Sequence, residues 1–138
     1  MVIRPYCAGD LTFLHDIEIK SYPDPWLKDE FTGFGRSTFV AVDDKRTVGY
    51  YCIRFSSAST RLLRFAIAPQ WRRMGCGSGL MDHVKRNGIK VTTIVSELNE
   101  AGTAFLHDVG FRCVNVLKGA FRENGESWDG FYFLWRTP

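Results

Sequence analysis

The chain has 138 residues, 45% of them hydrophobic, which is sufficient for one domain, residues 1–138, built on a single core. Its net charge of +3 is small and its acidic and basic residues are interspersed, which excludes the strongly basic surface typical of nucleic-acid-binding proteins. No apolar run approaches the roughly 20 residues of a membrane span, and the N-terminal segment lacks the apolar region of a signal peptide. We therefore expect a cytoplasmic protein that binds neither nucleic acid nor membrane and is a monomer or a weak homodimer.

The four cysteines are Cys7, Cys52, Cys76 and Cys113, and they are widely separated along the chain. None of them belongs to a Cys-x-x-Cys pair or a Cys/His cluster, the spacings typical of zinc sites, and their scatter does not resemble a disulfide framework. We therefore expect reduced thiols and no metal site.

The first half of the chain predicts strands and helices from the spacing of its apolar residues and from its prolines and glycines. The predicted elements are a strand at 2–4, a helix from Gly9-Asp10 with Leu11, Leu14 and Ile17 on one face, an extended or turning segment at 21–26, a short helix from 27 to about 34, a hairpin with arms at 39–42 and 48–55, and a strand at 62–67. The hairpin turn is predicted at 43–46, and Pro69 is expected to end the last strand.

The second half begins with a glycine-rich loop and then alternates helices and strands. The predicted elements are a helix with Leu80, Met81 and Val84 on one face, a strand at 91–95, a helix after Asn99 through Ala101, Ala104 and Phe105 to Gly110, and two final strands at 111–116 and 130–135. Lys85-Arg86 and Asn87-Gly88 form a stop signal for the first of these helices. The polar segment RENGESWDG predicts a loop between the last two strands. This order of elements is typical of an α/β fold with a mixed sheet and helices packed on it.

The segment RRMGCGSG, at 72–79, lies between a predicted strand and a predicted helix. The first N–H groups of a helix have no backbone partner and the helix dipole adds partial positive charge, so this position favours an anion. Gly75 and Gly77 allow a pyrophosphate to approach the backbone closely, and Arg72 and Arg73 add positive charge. An ordinary tight turn is the alternative, but the strand before the segment and the helix after it favour phosphate binding.

Arg72, Gly75 and Gly77 fit the pattern [RQ]-x-x-G-x-[GA], the coenzyme A loop of the GNAT superfamily of N-acetyltransferases, which this chain resembles. Phe65-Ala66-Ile67-Ala68-Pro69 is similar to the family's splayed strand, whose backbone pairs with the pantetheine arm. Asn99, followed by Ala104-Phe105-Leu106 and Gly110-Phe111, is similar to the family segment N-x-x-A-x-x-L-Y-x-x-x-G-F. The flanking segments SYPDPWLKDEF and RENGESWDGFYFLW resemble the branch that acetylates protein N-termini, typified by the ribosomal-protein-alanine acetyltransferases.

The resemblance implies a GNAT-type central mixed β-sheet of six to seven strands, with splayed central parallel strands and about four flanking helices. It implies acetyl-CoA as cosubstrate and no metal. The residues implied to bind the cofactor are Phe65, Ala66, Ile67, Arg72, Arg73, Met74, Gly75, Cys76, Gly77, Ser78 and Asn99. The backbone N–H of Ile67 is implied as the oxyanion donor. The implied acceptor entrance consists of Tyr22, Asp24, Trp26 and Glu30.

The chain departs from the family at the two usual catalytic positions. In the branch named above, a tyrosine seven residues after the asparagine protonates the leaving thiolate, and a glutamate five residues before the asparagine acts as base. Those positions are Leu106 and Ile94 here. Ser96, Glu97 and His107 lie close in sequence and are candidates to act through water, although such side chains on a surface are more often simply solvated. The catalytic acid and base therefore stay open.

Acetyl transfer remains chemically feasible without a strong acid or base. A thiol with a pKa of about 8.5 leaves as thiolate, and an α-amine with a pKa of about 8 is roughly a tenth neutral at pH 7, whereas a lysine side chain is neutral about once in several thousand. We therefore predict direct acetyl transfer from acetyl-CoA to a primary amine in a ternary complex, with a protein N-terminal α-amine as first choice. A small-molecule amine, such as a polyamine or an aminoglycoside, is the enzymatic alternative. A non-catalytic CoA-binding or regulatory module is the alternative of another class.

Overall fold

The computed structural model describes residues 1–86 and 88–138, so Asn87 of the predicted helix stop signal lies outside the described residues. The helices and strands are β1 Val2–Pro5, α1 Leu11–Ser21, α2 Lys28–Gly33, β2 Thr38–Asp43, β3 Arg46–Ser56, β4 Ser59–Ile67, α3 Cys76–Lys85, β5 Lys90–Ser96, α4 Glu100–Asp108, β6 Arg112–Glu123 and β7 Glu126–Arg136. Short 3₁₀ turns precede α1, β2 and the glycine-rich loop, at Ala8–Asp10, Gly35–Ser37 and Pro69–Trp71 respectively. None of the described helices is long and apolar enough to cross a membrane.

The strands of the described residues form a seven-stranded sheet in the order β1-β2-β3-β4-β5-β7-β6. β4 and β5 pair in parallel, whereas β1 with β2, β2 with β3, β5 with β7 and β6 with β7 pair antiparallel. This mixed sheet, accompanied by four α-helices, confirms the predicted α/β class with six to seven strands and about four helices. The predicted splaying of the parallel strands and the assignment of residues 1–138 to one domain stay predictions.

The chain divides into two compact units, and the first comprises Met1–Arg54 and Leu62–Asn87. A hydrophobic cluster in this unit joins α1, α2 and the strands through Leu14, Ile17, Phe31, Val40, Tyr50, Ala66 and Ala68. Leu14 and Ile17 are buried because they lie on the predicted apolar face of α1. The predicted face of α3, made of Leu80, Met81 and Val84, is also buried.

The second unit comprises Phe55–Arg61 and Gly88–Pro138. Here β5 lies between the first residues of β4, paired as Thr60 with Val91 and Arg61 with Thr92, and the antiparallel strand β7. Phe133 of β7 is fully buried, and Leu106 of α4 is 4% exposed. The β-branched run that predicted β5 therefore forms an inner strand of the sheet.

The final hairpin is longer than the sequence pattern predicts. The loop expected at RENGESWDG is wrong, because β6 continues to Glu123 and β7 begins at Glu126. Asn124 and Gly125 have φ values of 51° and 80°. A two-residue turn with both φ values positive matches the twist of the flanking strands, and Asn-Gly favours it strongly. The polar residues on either side therefore pair across the hairpin instead of forming an open loop.

Candidate active site

The predicted coenzyme loop runs from the 3₁₀ turn at Pro69–Trp71 into α3. Gly75 is the N-cap residue of α3 and has a φ of 82°, and Arg73 has a φ of 61°. Residues 72–75 are exposed, and nothing lies within 4 Å of the position that a Cβ on Gly75 would occupy. The loop therefore presents open backbone to solvent at the start of a helix.

The start of α3 supplies backbone donors. The N–H of Gly79 donates to the carbonyl of Gly75 at 3.1 Å. The N–H groups of Cys76, Gly77 and Ser78 precede this bond and have no acceptor within the helix. The first turn of α3 contains no acidic residue to oppose an anion, and the helix dipole places partial positive charge there. This geometry suits the predicted pyrophosphate site.

Arg72 and Arg73 differ in their surroundings, although the sequence analysis placed both at the phosphate. The Nε of Arg72 donates to the carbonyl of Ile67 at 2.9 Å, and its Nη2 donates to the Oγ of Ser21 at 3.1 Å. Its guanidinium thereby joins the end of β4 to the last turn of α1. Arg73 lies at the exposed outer part of the loop. Of the two side chains, Arg73 is therefore the one that we expect to meet an anion from solvent.

Alanine substitutions are expected to separate these two arginines. Arg72→Ala removes two hydrogen bonds from a charged donor and should lower the free energy of unfolding by about 1 kcal/mol or more. Arg73→Ala should change stability by less than about 0.5 kcal/mol and weaken CoA binding, more strongly at low salt than at high salt. Urea unfolding and calorimetric titration with CoA at two salt concentrations measure both effects. Loss of CoA affinity in Arg72→Ala with unchanged stability contradicts this division of roles.

The end of β4 contains the segment predicted to lie along the pantetheine arm. The N–H of Ala68 donates to the carbonyl of Val48 in β3 at 2.8 Å. Because successive N–H groups of a strand point to opposite edges, the N–H of Ile67 points away from β3. Arg72 holds the carbonyl of the same residue. The Ile67 N–H therefore has an orientation compatible with the predicted oxyanion role, and that role stays a prediction.

Tyr22 of the predicted entrance lies against the backbone of β4. Its hydroxyl donates to the carbonyl of Phe65 at 2.8 Å and lies 3.4 Å from the N–H of the same residue. Burial raises the pKa of Tyr22, so the hydroxyl remains a proton donor. The structure thus brings a predicted entrance residue into contact with a predicted cofactor-binding residue.

Glu18 is a fully buried carboxylate that belongs to none of the motifs described above. One of its oxygens accepts the N–H of Trp26 at 2.7 Å and pairs with Arg64 at 3.1 Å, and the other accepts the hydroxyl of Tyr50. Burial, followed by the charge of Glu18, raises the pKa of Tyr50 and keeps that hydroxyl protonated. Three donors occupy the oxygens of this carboxylate. It is therefore part of the scaffold and does not act as a base for the acceptor amine.

Arg64 lies beneath the predicted entrance segment. Its guanidinium carbon is 4.2 Å from the ring centre of Tyr22 and 5.0 Å from that of Trp26, and its Nη2 donates to the carbonyl of Asp24 at 3.2 Å. Three of the four predicted entrance residues therefore meet around Arg64. The fourth, Glu30, accepts the N–H of Leu27 at 3.0 Å at the start of α2, and its entrance role stays a prediction.

Sequence signals for Glu18 and Arg64 exist but are weak. Glu18 is four residues after Leu14 and therefore lies on the buried face of α1. Arg64 interrupts the apolar run LLRFAI of β4. A charged residue at a core-facing position is rarely buried unless it has a partner, so each residue signalled that a counterion was needed. Neither signal showed which residue supplied it.

The three candidate catalytic residues of the second unit each have a neighbour of their own. The Oγ of Ser96 accepts the N–H of Leu98 at 3.2 Å, and a Glu97 carboxylate oxygen accepts the N–H of Asp129 at 2.9 Å. His107 is exposed, with its ring edge-on to Phe133. Ser96 and Glu97 thus each accept a backbone hydrogen bond at the end of β5, Ser96 from its own turn and Glu97 from β7. Among the described residues, no group of three or more His, Cys, Asp and Glu side chains is arranged to hold a metal ion.

Asn99 is the N-cap of α4, and its Oδ1 accepts the N–H of Gly102 at 2.9 Å. A Cβ at Gly102 would lie 2.5 Å from the Nδ2 of Asn99. Glycine at that position therefore allows the close cap, which gives a structural reason for its presence where the family segment has alanine. Leu106 is buried and Ile94 is partly buried, and neither apolar side chain can donate or accept a proton.

The family model of the acetyltransferase (GNAT) domain matches residues 35–113 of this chain. The matched range contains the glycine-rich loop and Asn99. An uncharacterized N-acetyltransferase of Methanocaldococcus jannaschii is 24% identical over 148 aligned positions, which cover 100% of this chain and 93% of that relative.

Solved structures with the same fold include three of similar size. The ribosomal-protein-S18-alanine N-acetyltransferase of Escherichia coli has a TM-score of 0.84 at 19% identity, with 98% of this chain and 92% of that chain covered. Ard1 of Thermoplasma volcanium has a TM-score of 0.83 at 22% identity, with 99% and 97% covered. NAA60 of Arabidopsis thaliana, in complex with a bisubstrate analogue, has a TM-score of 0.85 at 19% identity, with 98% and 97% covered. Because the family model matches more than half of the chain, the protein belongs to the GNAT family, as its sequence predicts, and is an N-acetyltransferase.

Proposed function

We propose that this enzyme transfers the acetyl group of acetyl-CoA directly to a primary amine in a ternary complex, and that its preferred acceptor is a protein N-terminal α-amine. The observation that carries the proposal is the open loop at Gly75, where three N–H groups at the start of α3 have no acceptor within the helix. Acetyl-CoA as cosubstrate is supported by the similar structure of Arabidopsis NAA60 in complex with acetyl-CoA. The acceptor class is supported by the similar fold of the E. coli enzyme named for an alanine of ribosomal protein S18.

The proposed CoA site lies within the first unit. The N–H groups of Cys76, Gly77 and Ser78 would hold the pyrophosphate, and Arg73 would add positive charge from the exposed part of the loop. The edge of β4 that faces away from β3 would take the pantetheine arm through its backbone. The N–H of Ile67 is available there, and the backbone of Phe65 would exchange the Tyr22 hydroxyl for the arm.

The proposed chemistry forms a carbon–nitrogen bond, breaks the carbon–sulfur bond of the thioester and releases one proton from the amine nitrogen. The lone pair of a neutral amine attacks the thioester carbonyl carbon, and the N–H of Ile67 donates to the oxygen that becomes negative. The carbon–sulfur bond then breaks, sulfur leaves as thiolate, and the new amide nitrogen loses its proton to solvent. The apolar side chains of Leu106 and Ile94 supply no acid or base, and Glu97 is hydrogen-bonded to Asp129. The enzyme therefore depends on the fraction of acceptor that is already neutral.

The need for a neutral amine predicts how turnover changes with pH and which class of amine is acetylated faster. At subsaturating acceptor, turnover should rise with pH until the pKa of the α-amine, near about 8, and then level off. Peptides with a free α-amine should be acetylated faster than peptides whose only amine is a lysine side chain, since the lysine supplies far less neutral nucleophile. Acetyl transfer measured between about pH 6 and pH 9.5, roughly two units either side of that pKa, tests both expectations.

The control is the same peptide with a blocked N-terminus and no lysine, which should not react. A preference for lysine side chains, or a plateau that begins well below neutral pH, would show that the acceptor assignment is wrong and that a base exists. Faster transfer to polyamines or aminoglycosides than to any peptide would favour the small-molecule alternative.

A further inference from the structure

Arg64 has a hydrogen-bond donor that no described residue uses. Its Nη2 contacts the carboxylate of Glu18 at 3.1 Å and the carbonyl of Asp24 at 3.2 Å. Its Nε is shielded from solvent and has no hydrogen-bond partner among residues 1–86 and 88–138. Leaving a buried donor of a charged group without an acceptor is unfavourable, and folded proteins rarely do so. The Nε edge of Arg64 is therefore suited to an oxygen that the chain does not itself provide.

The position of Arg64 places this edge near the proposed reaction site. Side chains two residues apart on a strand share a face, so Arg64 projects to the same face of β4 as Ala66 and Ala68. Ile67, the proposed oxyanion donor, is three residues further along, about 10 Å in an extended strand. An arginine side chain can span most of that distance. In the proposed ternary complex, a group attached to the attacking amine would therefore lie within the range of an arginine side chain at position 64.

The entrance segment at 22–26 covers the guanidinium without forming a helix or a strand. Its residues Pro23 and Asp24 are exposed, while the Arg64 side chain retains 16% exposure. For an incoming oxygen to reach Nε, this segment would have to shift, with the Asp24 carbonyl giving up its contact with Nη2. That carbonyl makes the longer of the two Nη2 contacts.

The charge of Arg64 does not prevent an amine from approaching, because the buried carboxylate of Glu18 compensates it. The Arg64–Glu18 pair therefore offers an incoming group a hydrogen-bond donor but no net charge. A protonated polyamine carries only donors and cannot satisfy Nε. The first carbonyl of a peptide has an acceptor oxygen two bonds from the carbon that bears the α-amine.

We propose that Arg64 is a specificity-determining residue, which donates a hydrogen bond to an acceptor oxygen close to the reacting amine and thereby selects amines that carry a carbonyl over simple alkyl amines. This inference rests on the proposed function, since it names the chemistry by which the same site recognises its acceptor.

Two enzymes and two acceptors test this inference. The acceptors are a short peptide whose only amine is its α-amine and the same peptide with the first carbonyl replaced by a methylene group. The enzymes are the wild type and Arg64→Lys, which keeps a positive charge beside Glu18 but lacks the planar set of donors. The measured quantity is the kcat/KM of the carbonyl peptide divided by that of the methylene peptide. This ratio should be roughly tenfold or more lower in Arg64→Lys than in the wild type, the effect of losing one hydrogen bond to a guanidinium. The difference in amine pKa cancels, because both enzymes use the same two acceptors.

Arg61→Lys is the matched control, the same substitution three residues earlier on β4, and it should leave the ratio unchanged. Thermal unfolding and CoA affinity show whether each variant is folded. If Arg64→Lys does not fold, the wild type is compared on the peptide and on its analogue with sulfur in place of the first carbonyl oxygen, since sulfur accepts hydrogen bonds more weakly. A lower kcat/KM for the sulfur analogue supports the inference.

The outcomes separate this inference from the proposed function. An unchanged ratio in a folded Arg64→Lys, or equal rates for the oxygen and sulfur peptides, overturns the role of Arg64 while leaving α-amine transfer in place. Failure of the wild type to acetylate any α-amine overturns the proposed function itself, and with it the inference.

Discussion

Gly75→Val is expected to raise the dissociation constant for CoA by about tenfold or more, the effect of losing a single good hydrogen bond. Gly75 has a φ of 82°, a conformation that a β-branched residue adopts only with strain. Its Cβ would meet no protein atom within 4 Å, so the added side chain occupies open space at the start of α3. That space is the proposed position of the pyrophosphate. Isothermal titration of the folded variant with CoA measures the change.

Gly125→Val provides a control for backbone strain. Gly125 has a φ of 80°, and a Cβ there also meets nothing within 4 Å, but it lies in the turn between β6 and β7. Both variants should lose roughly 1–2 kcal/mol of stability, the cost of placing a side chain in the left-handed region. Only Gly75→Val should lose CoA affinity. Equal CoA affinities for the two variants would mean that the loop does not bind the pyrophosphate.

Glu18→Ala is expected to lower the free energy of unfolding by about 3–5 kcal/mol, because it leaves the charge of Arg64 without its buried counterion. The hydroxyl of Tyr50 and the N–H of Trp26 lose their acceptor in the same variant. The loss is a large part of the roughly 5–15 kcal/mol that stabilises a typical domain. Urea unfolding monitored by tryptophan fluorescence and by circular dichroism measures it.

Asp16→Ala is the matched control for this prediction. Asp16 is on the same helix and pairs with Lys20 at 2.9 Å, but its side chain is 60% exposed. An exposed ion pair contributes at most about 1 kcal/mol, so this variant should remain close to the wild type. If Glu18→Ala proves no less stable than Asp16→Ala, the buried network does not stabilise the first unit.

The sequence by itself determined the order of elements and the position of the loop, because those features depend on local signals. Apolar spacing predicted the buried faces of α1 and α3, and Gly75 marked a turn that needs a positive φ. Asn99 marked the start of α4 through a different local signal, since its side chain caps the helix that follows it. The Asn-Gly pair at 124–125 was an equally local signal. Its polar neighbours predict a loop, whereas they form the strands of the hairpin.

Only the tertiary structure decided which distant side chains meet. Glu18, Tyr50 and Arg64 come from a helix and two strands, and their hydrogen bonds join residues 32 or more positions apart. Arg72 illustrates the same point, because it donates a hydrogen bond to Ser21, which is 51 residues away. Glu97 likewise accepts a hydrogen bond from the N–H of Asp129, which is 32 residues away. Periodicity reports the face on which a residue lies, whereas the partner of a buried charge is set by how the folded strands and helices are packed.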